Sequence, residues 1–135
     1  YGITPEAVTL WGTGKPLREF LWSEEMADAS VHVLLNVDFK DTYAPGERDI
    51  RNCHINVGTG KELTIREVAE KIMAEIGFKG ELRWDASKPD GTMRKLTDVT
   101  KLHRLGWHHT VEIDEGVYRL YEWYLKGICI NHQGH

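Results

Sequence analysis

The segment from Thr64 to Gly77 limits the fold of this chain more than any other. Thr64 and Glu67 stand three residues apart, the spacing of a capping box that begins a helix. Gly77 stands where a glycine in the left-handed conformation would end that helix. Between them, apolar residues recur at helical intervals on one face, at Ile65, Val68, Ala69, Ile72, Met73 and Ile76. Because such a face must be covered, the other segments have to supply a packing surface.

Short apolar segments bounded by turn residues are candidates for that surface. We predict strands at residues 8–11, 54–57 and 81–84, and either a strand or an extended arm at residues 17–22. The turn-rich link at residues 12–16 separates residues 8–11 from residues 17–22, and we expect these two segments to cross or to pair with each other. Residues 38–52 and 85–97 are polar, contain Pro and Gly, and are predicted to be loops.

Three further helices are predicted from capping residues. Ser23 would cap a helix with Glu24 and Glu25 in its first turn, and its buried stripe would be Met26, Ala27, Ser30, Val33, Leu34 and Val37. Asp98 would cap a short helix that runs through Leu105 and stops at Gly106. Asp114 would cap the last helix, with a face formed by Val117, Leu120, Tyr121, Tyr124 and Leu125. The mixture predicts an α/β fold, a small mixed-sheet domain with flanking helices.

Length and composition restrict the class of protein. A chain of 135 residues is expected to form one domain, residues 1–135, and its 41% hydrophobic and 28% charged residues are ordinary for a globular protein. There is no apolar run of about 18 residues, so no membrane span is predicted, and the amino-terminal residues do not resemble a signal peptide. The net charge of −4 argues against binding to nucleic acid.

The cysteines and histidines do not predict a disulfide framework or a metal site. Cys53 and Cys129 are two isolated thiols, which favours a reducing, cytoplasmic setting. Cys129, His132 and His135 lie close together near the end of the sequence, but no second ligand pair stands at zinc-site spacing. We interpret this grouping as adventitious.

Signals of catalysis and of dinucleotide binding are missing from the sequence. The Gly-Thr-Gly triplets at residues 12–14 and 58–60 are not continued as G-x-G-x-x-G and are interpreted as turns. No tyrosine precedes a lysine by four positions, and no nucleophile and base are suggested by the sequence. We therefore assign no catalytic and no cofactor-binding residue.

Three features could form a ligand site, and each has an ordinary alternative. Arg18 follows a Gly-Pro turn within an apolar segment, where it either faces solvent or reaches an anion. Residues 87–95 hold three cations and Asp90; they could bind a diphosphate and a sugar or guanine, or form a solvated loop. Trp11 precedes a glycine turn and could stack on a base or sugar or pack in the core. Trp84 and Trp107 are assigned to the core, and Trp22 and Trp123 to core or interface.

These features occur in the order known from one enzyme superfamily. Residues 8–21 resemble the V-W-G-x-G-x-x-x-R-E-F segment of extended short-chain dehydrogenase/reductases. Residues 54–67 resemble the I-N-V-G-x-G and T-I-x-E segments of the same superfamily. Residues 84–99, with D-x-S-K-P-D-G-T-x-R-K-L-x-D, are similar to the GDP-L-fucose synthase family in particular. The resemblance covers about residues 8–125, with departures at Met93, in the loop at 38–52 and after Leu125.

The resemblance implies a substrate-binding fragment of a larger enzyme. The whole enzyme would convert GDP-4-keto-6-deoxymannose to GDP-L-fucose by epimerisation and NADPH-dependent reduction, and would be a homodimer. Residues 1–135 would be its carboxy-terminal substrate-binding domain, without the Rossmann domain that binds NADP and without catalytic residues, and therefore inactive alone. By the same resemblance Trp11, Arg18, Asp90 and Lys95 bind the GDP-sugar, with Arg18 and Lys95 facing the diphosphate.

Two other functions stay open at this point. The chain could belong to another NAD(P)-dependent epimerase or dehydratase that acts on a UDP or dTDP sugar, or it could be a stand-alone binding module. In the fragment interpretation, an apolar surface that met the cofactor domain should be exposed, and the isolated chain should self-associate at high concentration.

Overall fold

The computed structural model describes residues 5–46 and 51–131, with side chains up to Gly127. It is a small α/β structure with mixed sheets and flanking helices, as predicted. Within these described residues, five strands and four α-helices follow one another as β1 (Ala7–Trp11), β2 (Leu17–Arg18), α1 (Ser23–Asn36), β3 (Leu63–Thr64), α2 (Ile65–Glu75), β4 (Glu81–Asp85), β5 (Arg94–Lys95), α3 (Thr100–Arg104) and α4 (Ile113–Asn131). No helix in this part of the chain is both long and apolar enough to cross a membrane.

The chain packs into two compact units that are interleaved in sequence. Unit 1 contains residues 1–18, 63–95 and 113–135, and unit 2 contains residues 19–62 and 96–112. The assignment of residues 1–135 to one domain stays a prediction.

Unit 1 contains the five strands β1 to β5 of the described residues, in two sheets. β1 and β4 form a parallel pair in which Ala7 is opposite Glu81 and Trp11 is opposite Asp85. β2 lies between β3, which is antiparallel to it, and β5, which is parallel. Of the two alternatives given for β1 and β2, crossing or pairing with each other, pairing is wrong. The link between them contains Gly12 and Gly14 with φ of 83° and 74°, and it redirects the chain from one sheet into the other.

Helix α2 forms as its sequence predicts. The Thr64 hydroxyl accepts from the Glu67 N–H at 3.1 Å, and the Glu67 carboxylate accepts from the Thr64 N–H at 2.7 Å. Gly77 ends the helix with a φ of 67°. The apolar face of α2 and strands β1 and β4 line an open apolar groove of about 380 Å³, with Val8, Leu10, Ile72, Ile76 and Leu82 among its walls.

Unit 2 has a small core, and its helix α1 faces it differently from the prediction. Ala29, Leu102 and Trp107 are buried together, and the Trp107 indole N–H donates to Asp28 at 2.8 Å. The predicted stripe of α1 is wrong in part, because Met26 and Leu34 are 47% and 81% exposed.

The residue that α1 buries instead is Glu25. Its carboxylate accepts hydrogen bonds from the Thr110 hydroxyl at 2.8 Å, from the Val111 N–H at 3.0 Å and from the Thr110 N–H. Burial opposes ionisation, but these bonds and the nearby His109 hold the pKa of Glu25 below its ordinary value.

Glu19 joins its own segment to two loops of unit 2. One carboxylate oxygen accepts from the N–H groups of Thr59 and Gly60, each at 2.6 Å, and the other accepts from the Thr97 N–H at 3.0 Å and from the Thr97 hydroxyl. Burial raises the pKa of Glu19, but the bonds from Thr97, Gly60 and Thr59 outweigh it and leave the pKa lowered. A side chain on Gly58 would collide with Glu19 and Thr97, which explains the glycine there.

Several predicted boundaries are wrong. Residues 54–57 form no strand, because no neighbouring strand in the described residues pairs with them. Of residues 17–22, Leu17–Arg18 alone is strand, and a short 3-10 helix, Phe39–Thr42, interrupts the loop at 38–52. Ser23 and Asp114 lie inside their helices, so neither is the cap. Asp98 accepts from the Thr100 N–H at 2.9 Å, but α3 begins two residues after it.

The tryptophan assignments are confirmed in part. Trp107 is 5% exposed and belongs to the core of unit 2, whereas Trp84 is half-buried. Trp123 is 71% exposed on α4, so it is not a core residue.

Candidate functional site

Trp11 stands at the carboxyl end of β1, the edge at which open α/β sheets commonly bind ligands. Its side chain is 75% exposed. β1 and β4 end together, since Trp11 is opposite Asp85 and the Gly12 N–H donates to the Asp85 carbonyl at 2.9 Å. The structure therefore presents a large aromatic ring to solvent, on which a base or sugar could stack.

The turn after Trp11 is bonded to Asp90. The Thr13 N–H donates to one carboxylate oxygen of Asp90 at 2.6 Å, and the Thr13 hydroxyl donates to the other at 2.7 Å. These bonds, first that of the hydroxyl, hold the pKa of Asp90 below its ordinary value, with a smaller contribution from the charge of Lys15. A side chain on Gly12 would collide with the same carboxylate. The structure thus places Asp90 beside the turn that carries Trp11.

Helix α2 holds the same turn at its carbonyl groups. The Arg66 N–H donates to the Gly14 carbonyl at 3.0 Å, and the Arg66 guanidinium donates to the Thr13 carbonyl at 3.3 Å. That guanidinium lies 4.7 Å from the centre of the Trp84 ring, within the range of a cation–π contact. A Cβ atom on Gly14 would come within 2.7 Å of Trp84, so the close approach of the ring requires glycine.

Arg18 and Lys95 lie side by side in the three-stranded sheet. They are register partners in the parallel ladder of β2 and β5, so their side chains leave the same face. Arg18 is half-buried and donates to the Leu17 carbonyl at 2.6 Å, and Lys95 is exposed. Like charges on adjacent strands repel. An anion bound between the two would remove that repulsion, and a bidentate guanidinium beside an ammonium suits phosphate oxygens.

Lys88 is a residue near Trp11 that the sequence analysis left without a specific role. Its ammonium lies 5.5 Å from the centre of the Trp11 ring. A turn holds it there, in which the Lys88 N–H donates to the Asp85 carbonyl at 3.1 Å and the Asp85 carboxylate accepts from the Ser87 N–H at 3.0 Å. The signal in the sequence was the cluster of cations in residues 87–95, which could not show which cation meets the tryptophan.

The four residues predicted from the sequence form two pairs in unit 1. Trp11 and Asp90 are connected through Thr13, and Arg18 and Lys95 through the β2–β5 ladder. No ligand contact tests any of the four, so their role in binding stays a prediction.

Among the side chains of residues 5–46 and 51–127, no group of three or more His, Cys, Asp or Glu is placed to hold a metal ion. Cys53 is a half-buried free thiol. The grouping of Cys129, His132 and His135 lies outside the described side chains.

Comparison with known proteins connects this geometry to an enzyme family. The model of the NAD dependent epimerase/dehydratase family matches residues 3–58. GDP-L-fucose synthase 1 of Arabidopsis thaliana is 48% identical over 124 residues, which are 92% of this chain and 35% of that protein. The chain thus spans about a third of the length of this relative.

Two solved structures from Campylobacter jejuni have the same fold over most of the chain. A GDP-6-OMe-4-keto-L-xylo-heptose reductase has a TM-score of 0.86 and 44% identity, covering 93% of this chain and 36% of its own. MlghC, a GDP-mannoheptose C4 reductase with NADP bound, has a TM-score of 0.75 and 41% identity, covering 91% of this chain and 33% of its own.

Fold and sequence together point to one class of enzyme, because the model of the NAD dependent epimerase/dehydratase family matches residues 3–58 and the solved structures above share the fold. More narrowly, its homologues at 44–48% identity over most of the chain are named GDP-L-fucose synthases.

Proposed function

We propose that this chain binds the GDP-sugar as the carboxy-terminal, substrate-binding part of a GDP-L-fucose synthase. The whole protein would convert GDP-4-keto-6-deoxymannose to GDP-L-fucose, by epimerising two carbons next to the ketone and then reducing the ketone with NADPH. The sequence relatives support the GDP-sugar as the substrate class.

The pairing of Arg18 with Lys95 is the observation that carries the proposal. Two cations side by side on one face are unfavourable without an anion, and a nucleoside diphosphate is an anion with several oxygens to share between them. Trp11 offers a stacking surface, and Asp90 is an acceptor for a sugar hydroxyl or a guanine edge. Both oxygens of Asp90 already accept one bond from Thr13, but a carboxylate oxygen has further acceptor capacity.

The cofactor and the reacting groups would belong to the rest of the protein. We propose that a Rossmann domain preceding this chain binds NADP and carries the catalytic residues, that the whole protein is a cytoplasmic homodimer, and that residues 1–135 are inactive alone. The length of the relatives and the NADP in MlghC support this division. Trp11, Arg18, Asp90 and Lys95 would bind and orient the sugar nucleotide, whereas NADP, when bound, would supply the hydride.

Exposed apolar side chains of unit 2 would face that cofactor domain. Val31, Leu34 and Leu35 on α1 are 52%, 81% and 74% exposed, and Phe39 just beyond the helix is 61% exposed. Residues 55–57 pair with no strand among the described residues, so an additional strand could hydrogen-bond to their backbone, whereas the His54 carbonyl already accepts from the Lys101 ammonium at 2.9 Å. Several exposed apolar side chains on one helix are typical of a protein interface.

A calorimetric titration tests the ligand class. The natural full-length chain that contains residues 1–135 is titrated with GDP-mannose, GDP and UDP-glucose. We expect the two guanine nucleotides to bind more tightly than UDP-glucose, and Arg18→Ala and Lys95→Ala to weaken GDP by about tenfold or more each, the loss typical of a charged hydrogen bond. Arg83→Ala is the matched control, because Arg83 is exposed on β4 and pairs with Glu81 at 2.9 Å.

Equal binding of all three ligands, unchanged by Arg18→Ala and Lys95→Ala, would remove both residues from the site. Tight binding of UDP-glucose in preference to GDP would instead favour the UDP-sugar epimerases.

A reductase of a GDP-heptose is a second candidate, because the heptose reductase from C. jejuni is 44% identical over nearly the whole chain. The two functions share the nucleotide and differ in the sugar. Incubating the full-length protein and NADPH with GDP-4-keto-6-deoxymannose or with a GDP-4-keto-heptose, followed by identification of the product, separates them.

A further inference from the structure

The turn at residues 12–14 is fixed from two elements. The loop that follows β4 supplies Asp90, whose carboxylate accepts both the N–H and the hydroxyl of Thr13, at 2.6 and 2.7 Å. Helix α2 supplies Arg66, which donates to the carbonyls of Thr13 and Gly14 at 3.3 and 3.0 Å. Thr13 is thus bonded through its amide, its hydroxyl and its carbonyl, although it lies on an open edge of the sheet.

The bonds of Thr13 determine the orientation of its neighbours. Trp11 is two residues before Thr13, and its ring is 75% exposed, so few packing contacts fix the ring itself. The direction of Trp11 therefore depends on the backbone of the turn that follows it. Asp90 is also oriented by Thr13, because both of its oxygens accept from that one residue.

We propose that Thr13 and Arg66 are positioning residues for the nucleotide-sugar site, which set the direction of Trp11 and of the Asp90 carboxylate without touching the ligand. This inference rests on the proposed function, since it gives a role to groups that hold Trp11 and Asp90. Arg66 is itself held by Trp84, whose ring lies against Gly14 at the end of the same turn. These contacts hold the turn in one conformation, and such preorganisation lowers the entropic cost of binding a ligand.

The hydroxyl of Thr13 is the group to remove. Thr13→Val keeps the shape of the side chain and the backbone N–H, but it loses the hydroxyl's bond to Asp90 and the bond that the hydroxyl accepts from the Lys15 N–H, whereas Thr13→Ser keeps the hydroxyl. Arg66→Met removes the guanidinium bond to the Thr13 carbonyl and keeps the backbone N–H bond to Gly14. Arg83→Met is its matched control, since Arg83 bonds Glu81 on β4.

The test is a thermodynamic cycle between Thr13→Val and the combined variant Trp11→Ala/Asp90→Ala, measured by calorimetry with GDP-mannose on the natural full-length chain. We expect Thr13→Val and Trp11→Ala each to weaken binding by about tenfold, the usual order for a lost charged hydrogen bond or a lost stacking contact. Because Thr13 acts through Trp11 and Asp90, adding Thr13→Val to the combined variant should weaken binding by less than about a further threefold. Thr13→Ser should bind GDP-mannose like the parent. Arg66→Met should weaken binding as Thr13→Val does, whereas Arg83→Met should leave it unchanged.

A second readout follows the Asp90 carboxylate directly by NMR titration. The pKa of Asp90 should rise toward the ordinary aspartate value in Thr13→Val and stay low in Thr13→Ser. A general loss of stability would not produce this difference between the two variants. Suppose that the parent binds GDP-mannose but the effects in the cycle are fully additive, or Thr13→Val and Arg66→Met leave binding unchanged. Either result would overturn the positioning role and leave the proposed function standing. A parent that binds no guanine nucleotide would overturn both.

Discussion

Glu19 offers the sharpest test of what holds unit 2 together. Its carboxylate accepts the N–H groups of Thr59, Gly60 and Thr97 and the Thr97 hydroxyl, so one side chain satisfies donors from two loops that are far apart in sequence. Glu19→Gln is nearly isosteric, but it replaces one acceptor oxygen by an amide group that can donate and cannot accept. One of the two loops must then lose its partner.

The magnitude follows from the bonds that are lost. The glutamine keeps an oxygen that can still serve Thr59 and Gly60, and its amide group would face the Thr97 N–H, donor against donor. A hydrogen bond to a charged group contributes about 1.5–3 kcal/mol. Because Glu19 is partly exposed and water can replace some of the loss, we expect the free energy of unfolding to fall by about 2 kcal/mol. For a chain of this size that corresponds to about 6–10 °C in Tm.

The effect of Glu19→Gln should depend on pH in a defined direction. The pKa of Glu19 is lowered in the folded protein, so its ionised form adds stability that is present above its ordinary pKa of 4.5 and is lost as the pH falls through the folded value. Urea unfolding of parent and variant from pH 3 to pH 7 measures this. The difference in free energy of unfolding between parent and variant should be constant above about pH 5 and should decrease below pH 4.5.

Glu70→Gln serves as the control, because Glu70 is exposed on α2 and accepts no hydrogen bond from the described residues. A gap between parent and Glu19→Gln that stays the same from pH 3 to pH 7 would refute the argument. So would an equal loss of stability in Glu70→Gln.

Three further predictions concern stability and association. Gly14→Ala should lower the free energy of unfolding by about 2–4 kcal/mol, because it places an alanine in the left-handed conformation and against the Trp84 ring. Gly91→Ala, at a φ of 72° with open space around it, should lower it by about 1 kcal/mol. Chemical denaturation compares the two variants, and equal losses would contradict the clash with Trp84. Thr64→Ala should cost about 1 kcal/mol and Thr64→Ser a few tenths, by the same measurement, and a larger loss for serine would argue against the capping box. The isolated 135-residue chain should self-associate at millimolar concentration in light scattering, and Leu34→Gln should reduce this; a monodisperse parent would count against the exposed interface.

Local signals in the sequence predicted the elements that depend on local interactions. The capping box of α2 joins Thr64 to Glu67 three residues away, and Gly77 ends the helix by its own conformation, so both could be recognised without tertiary information. The glycines at 12 and 14 were likewise identified as turn residues, and both have positive φ.

Contacts between distant residues could not be predicted in the same way. The pairing of β1 with β4, and the bonds from Thr13 to Asp90, join residues that no periodicity relates. The face of α1 was misjudged because apolar spacing favoured Met26, whereas the loop at Thr110 needed an acceptor that Glu25 provides from the buried side. The candidate site was therefore predictable in its residue types but not in the pairs that they form.

The interleaving of the two units has a consequence for how this protein can be divided. The chain passes from one unit to the other four times, at residues 18, 62, 95 and 112. No single cut in the gene separates the two units. Exchange of one unit alone with a relative would require four crossovers within the gene, one at each of these boundaries.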